Sequence, residues 1–113
     1  MTTLLNTEIS FRFLKLDKFQ AYSLVREIIG SSHSEANNLN KQEYVAHVPL
    51  TTENFEVIND YYVRQRIALE ACDILVSVSA EQANGAVDIP LIVNKMLKYI
   101  DCKLTFSYCV KLV

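Results

Sequence analysis

The chain has no tryptophan, and its 113 residues include only two glycines and two prolines. Gly30 and Gly85 alone make neither a glycine-rich phosphate loop nor a dinucleotide fingerprint, because both need several glycines to bring backbone close to phosphate. Nucleotide binding by those routes is excluded. A cationic surplus is missing too: 11 Lys and Arg against 13 Asp and Glu give a net charge of -2. Nucleic-acid binding by phosphate neutralisation needs a basic stripe, so the favoured partner is a basic protein and not a nucleic acid. Residues 1–8 carry no Lys or Arg ahead of an apolar run, so neither a secretory leader nor a membrane-spanning helix is expected. The expected location is the cytoplasm, with no membrane partner. His33, His47, Cys72, Cys102 and Cys109 include no short-spaced ligand pair, so no metal or other cofactor is expected.

Half the residues are apolar and 21% are charged, an ordinary globular balance for one domain with a single core. The clearest pattern is at the end. Cys102, Leu104, Phe106, Tyr108, Val110 and Leu112 alternate with Lys103, Thr105, Ser107, Cys109 and Lys111, which predicts a strand with one apolar and one wet face. Residues 8–16 read as another strand, alternating until the phase shifts at Leu14, where a bulge is expected. Asp17 and Gln20 have capping-box spacing, and Phe19, Tyr22, Val25 and Ile28/Ile29 recur at helical spacing up to Gly30. Residues 31–42 are nearly all polar and read as a long exposed loop. A short strand at 44–48 follows, then a helix at about 53–71 with Phe55, Ile58, Tyr62 and Leu69 inward. A third strand at 73–80, an Asn84-Gly85 turn and a helix opened by Pro90 complete the order β-α-β-α-β-α-β. Strands of a doubly covered parallel sheet are apolar throughout, whereas Ser10, Arg12, Ser77, Ser79, Thr105 and Ser107 give these strands a wet face. The predicted class is therefore α+β, a two-layer sandwich of about four mostly antiparallel strands with three helices on one face.

Catalytic chemistry has no evident home. A Cys109, His47 and Asp arrangement could in principle make a covalent catalyst, but no spacing requires it. Two surfaces are better candidates for binding. Glu53, Glu56 and Asp60 line one side of the second helix, where complementary charge would speed encounter with a basic partner. One of the tandem tyrosines beside them must face outward, and Tyr61 is the expected one, as an interface anchor. The other surface is the wet sheet face of Arg12, Ser77, Ser79, Thr105 and Ser107, whose small hydroxyl side chains leave room for a ligand or a partner's loop. Cys109 shares that face by alternation, so it is the thiol expected to react first.

The stretch DILVSVSAEQANGAVDIPLIVNKMLKYIDCKLTFSY, residues 73–108, resembles the closing strand–loop–helix–strand unit of small bacterial domains. Some of those resemble immunity proteins of polymorphic-toxin and contact-dependent growth-inhibition systems. The resemblance covers about a third of the chain, rests on structural residues and carries no active-site residue across. It implies a non-enzymatic, cytoplasmic immunity protein that neutralises a cognate toxin by docking on it. The alternatives are a small-molecule-binding or regulatory domain using the polar sheet face, a phage-encoded inhibitor of a host defence enzyme, and last a cysteine-dependent enzyme.

Overall fold

Strand β1 (Leu5–Leu16) lies at the centre of the sheet in the computed structural model, which describes residues 5–36, 43–81 and 85–110. Along the chain come α1 (Lys18–Glu27), β2 (Ser32–Glu35), β3 (Tyr44–Pro49), α2 (Phe55–Arg64), β4 (Cys72–Ala80), α3 (Leu91–Tyr99) and β5 (Lys103–Val110). The class is α+β, with a mixed five-stranded sheet in the order β2-β3-β1-β4-β5. Every pairing is antiparallel except β4 with β5, which α3 joins as a parallel crossover. The expected four strands become five because Ser32–Glu35, read as loop, pairs with Tyr44–His47 of β3. An edge strand needs only backbone partners on one side and tolerates polar side chains, so composition hides it. Residues 37–42 of the expected loop, Asn84 of the expected turn, and Lys111 and Leu112 of the last strand lie outside the described residues.

Alternation sets the core face. Phe11 and Phe13 of β1, Ala46 and Val48 of β3, and Ile74 and Val76 of β4 all point inward and are fully buried. Pairing of β1 with β3 slips between Phe13, opposite Ala46, and Leu16, opposite Tyr44. The extra residue is the bulge that the phase shift predicts, and it keeps Phe13 and Leu16 both in the core. Buried side chains of all three helices join these strands in one cluster: Ala21 and Leu24 of α1, Phe55, Ile58 and Tyr61 of α2, Val93 and Met96 of α3. Full burial of a phenylalanine contributes about 2–3 kcal/mol, so the Phe13–Tyr61 ring contact anchors α2 to the sheet.

Two helices depart from the sequence reading. The expected capping box of α1 is present, with Gln20 N–H donating to Asp17 at 2.8 Å and Asp17 N–H to the Gln20 side chain at 3.0 Å. Its buried stripe, however, is Ala21, Leu24 and Ile28, while Phe19, Tyr22, Val25 and Ile29 face out. Small Ala21 lets the helix approach the sheet closely, which favours the less bulky stripe. Helix α2 ends at Arg64 instead of running on to residue 71. Arg66 adopts a left-handed φ of 53°, Arg66 N–H donates to the Val63 carbonyl and Ile67 N–H to that of Tyr62. This Schellman stop lacks its usual glycine, which is why the sequence conceals it. Leu69 consequently lies in a separate 3-10 turn and is exposed, not inward.

Candidate interaction surfaces

The sheet face opposite the core brings the expected polar residues together. One row crosses all five strands: Lys103, Asp73, Arg12, His47 and Ser32. Adjacent rows hold Thr105 beside Leu75 and Ser10, Ser107 beside Ser77 and Glu8, and Cys109 beside Ser79 and Asn6. Arg12, Ser77, Ser79, Thr105 and Ser107 therefore share one surface. Its Arg12 and Asp73 charges engage each other. Arg12 donates Nε–H to Asp73 Oδ1 at 2.8 Å and Nη2–H to Oδ2 at 2.5 Å, and the Thr105 hydroxyl donates to Oδ2 at 2.8 Å. Burial pushes the Asp73 carboxyl up, but the hydrogen bonds from Arg12 and Thr105 and the nearby cations outweigh it and hold its pKa below the usual aspartate range. His47 is pushed down by burial and by Arg12, with Asp73 opposing. This is the chemistry of a satisfied network, not of a poised base.

Cys109 and His47 do not meet. They sit on β5 and β3, three strand spacings of about 4.8 Å apart, and Cys109 lies six residues beyond the Lys103 position that shares His47's row. Cys109 is exposed, while Cys72 and Cys102 are buried. Among the described residues, no group of three or more His, Cys, Asp or Glu side chains is arranged to hold a metal ion.

The acidic ridge of α2 is present in altered form. Glu53 precedes the helix, Glu56 lies in its first turn, and both are exposed with Asp60 on the side away from Phe55, Ile58 and Tyr61. Arg64 pairs with Asp60 at 3.4 Å and reaches across to Glu27 of α1 at 2.6 Å, so it draws part of the ridge's charge into the α1–α2 contact. A groove of about 440 Å³ beside the ridge is lined by Glu56, Asn59, Asp60, Val63, Lys95 and Tyr99. Tyr61 meets this surface only from beneath, through its ring, which the Arg64 guanidinium overlies at 5.8 Å. It is fully buried, edge-on to Phe13, and its hydroxyl donates to the Gln20 carbonyl at 2.8 Å. The phase fixed by Phe55 and Ile58 turns Tyr61 inward and leaves Tyr62 half-buried, which corrects its assignment as an exposed anchor.

The surface missed by the sequence reading is on α1. Phe19, 84% exposed, Tyr22 and Val25 lie on the outer side of the helix with Lys18 and Arg26, and Ile29, 89% exposed, follows in the turn after it. Tyr22 stacks on His33 of β2 with ring centroids 5.0 Å apart, so this side of the helix is braced against the sheet edge. An apolar stripe of this extent, flanked by charge, is what protein-contact surfaces carry. Its signal was the competing Ala21, Leu24 and Ile28 stripe at i, i+3 and i+7.

Among the described residues, no helix is long and apolar enough to cross a membrane. No protein-family model, curated protein or solved structure matches the chain.

Proposed function

We propose that the chain is a non-enzymatic protein-binding module of the immunity type, which neutralises a cognate bacterial toxin by docking on it through the outer surface of α1 and α2. The observation that carries this reading is the outward stripe of Phe19, Tyr22, Val25 and Ile29. Large apolar side chains left in water weaken solubility unless a partner uses them. Phe19 and Ile29 serve as the anchors, and Glu56 on the neighbouring helix with Glu53 just before it favours a basic rim on the partner. The immunity role itself is supported by the resemblance of residues 73–108. The polar sheet face has weaker support as a ligand site, since Arg12 is already held by Asp73.

Co-expression with a candidate toxin domain taken from a neighbouring reading frame of the source genome tests the proposal. The wild-type chain is expected to protect growth, and Phe19→Glu with Ile29→Glu to abolish protection and weaken binding at least tenfold. The double variant should keep the wild-type urea midpoint, because both side chains are exposed. Charge reversal at Glu56 should slow association at low salt and matter less at high salt. Full protection by the double variant would overturn the reading.

A further inference from the structure

Two of the three cysteines sit together where β4 and β5 begin. Asp73 is paired with Lys103 in the parallel register, so Cys72 and Cys102 occupy the position just before it on adjacent strands. Neighbouring strands lie about 4.8 Å apart, inside the roughly 4.4–6.8 Å between Cα atoms that a disulfide spans. Both side chains face the core and are buried. Both residues also line a groove of about 490 Å³, together with Glu70, Asp101, Lys103 and Thr105.

We propose that Cys72 and Cys102 form a redox-active dithiol, which small disulfides entering this groove convert reversibly to an intramolecular disulfide. The two thiols differ in readiness. The Cys72 thiol donates to the Leu69 carbonyl at 3.4 Å, with the Ala68 carbonyl at 4.0 Å. Cys102 is the less deeply buried of the two, 8% exposed against 1% for Cys72, so an incoming disulfide meets it first: Cys102 is the attacking sulfur and Cys72 the resolving one. In the first step the Cys102 thiolate attacks one sulfur of the small disulfide, forming a mixed disulfide and releasing one thiolate. With Cys102 held in the mixed disulfide, Cys72 still carries its proton. It transfers that proton to solvent or the departing thiolate, attacks Cys102 Sγ and expels the second small thiol. The balance is two protein thiols oxidised to one disulfide and one small disulfide reduced to two thiols. Cys109, about twenty ångströms along β5, takes no part.

Oxidised glutathione is the probe, applied to the native chain carrying Cys109→Ser so that the exposed thiol cannot interfere. The expected product has lost two hydrogens, contains a Cys72–Cys102 peptide cross-link, reverts with dithiothreitol and melts several degrees higher, because the closed loop spans the whole α3 crossover. Cys72→Ala should stop at a glutathione adduct on Cys102, whereas Cys102→Ala should stay unmodified at Cys72. Persistence of two free thiols in the folded Cys109→Ser protein, under conditions that oxidise free cysteine, would overturn the proposal. An adduct on Cys72 in place of Cys102 would overturn the assignment of the attacking sulfur. The Cys109→Ser measurement decides the main point even if either alanine variant fails to fold.

Discussion

Arg12 shows how one polar residue on a wet face becomes structural. Alternation in β1 places it outward, and that much is legible from Phe11 and Phe13 on either side. Its partner is not, because Asp73 lies 61 residues away and meets it only through the β1–β4 register. Asp73 is buried in spite of its charge, so the pair stands or falls together. In the wild-type chain the folded-state pKa of Asp73 is depressed, so its stabilising contribution is complete above the unfolded value near pH 4 and fades as pH falls through the folded one. Arg12→Leu removes the main cation and leaves burial to push the carboxyl up. Stability contributed by that protonated group is then present at low pH and lost as pH rises. Urea unfolding should show a loss of about 3 kcal/mol at pH 7 and a clearly smaller one at pH 4. Equal losses at both would assign the effect to packing of the arginine stem instead.

At the level of the element, four of the five strands were readable and the phase of α1 was not. Period-two alternation has only two solutions, and one buries Phe11, Phe13, Ile74 and Val76 together. A helix has more. In α1 the bulkier set Phe19, Tyr22, Val25 and Ile29 competes with Ala21, Leu24 and Ile28, and the choice depends on how closely the helix approaches the sheet. The end of α2 was hidden for a different reason: Arg66 holds a conformation that normally announces itself as glycine. A non-glycine residue there costs about 1 kcal/mol or more, and exposed Arg66 has little packing to lose. Arg66→Gly is therefore expected to stabilise the chain by about 0.5–1 kcal/mol, and Arg66→Val to destabilise it by a similar amount. Chemical denaturation of the two variants checks the sign. If Gly destabilises, the backbone of residues 65–67 is held by contacts of the Arg66 side chain and not by the Schellman bonds.

For the whole molecule, the sheet order makes protection against exchange a map of position. The α+β class was visible in the sequence because wet and apolar faces can be separated strand by strand. The fifth strand and the parallel pairing were not, because pairing partners depend on where α3 returns the chain. Strand β1 is flanked on both sides, by β3 and β4, and β4 by β1 and β5. Their amides can exchange only when the sheet itself opens, so they should be the slowest, near the global unfolding limit. β2 has four residues and one neighbour, and should be fastest among the strands. β5 is the informative case. It is an edge strand, and Phe106, Tyr108 and Val110 on its core-facing side remain partly exposed. Amides directed at β4 should be protected and those directed outward should exchange like a loop, an alternation along residues 103–110 readable by native-state exchange in an isolated, dilute sample. Uniform slow exchange along β5, weakening on dilution, would instead mean that a second chain pairs with the edge. Alternation that persists at every concentration would place β5 at the true boundary of the sheet and leave association to the helical surface.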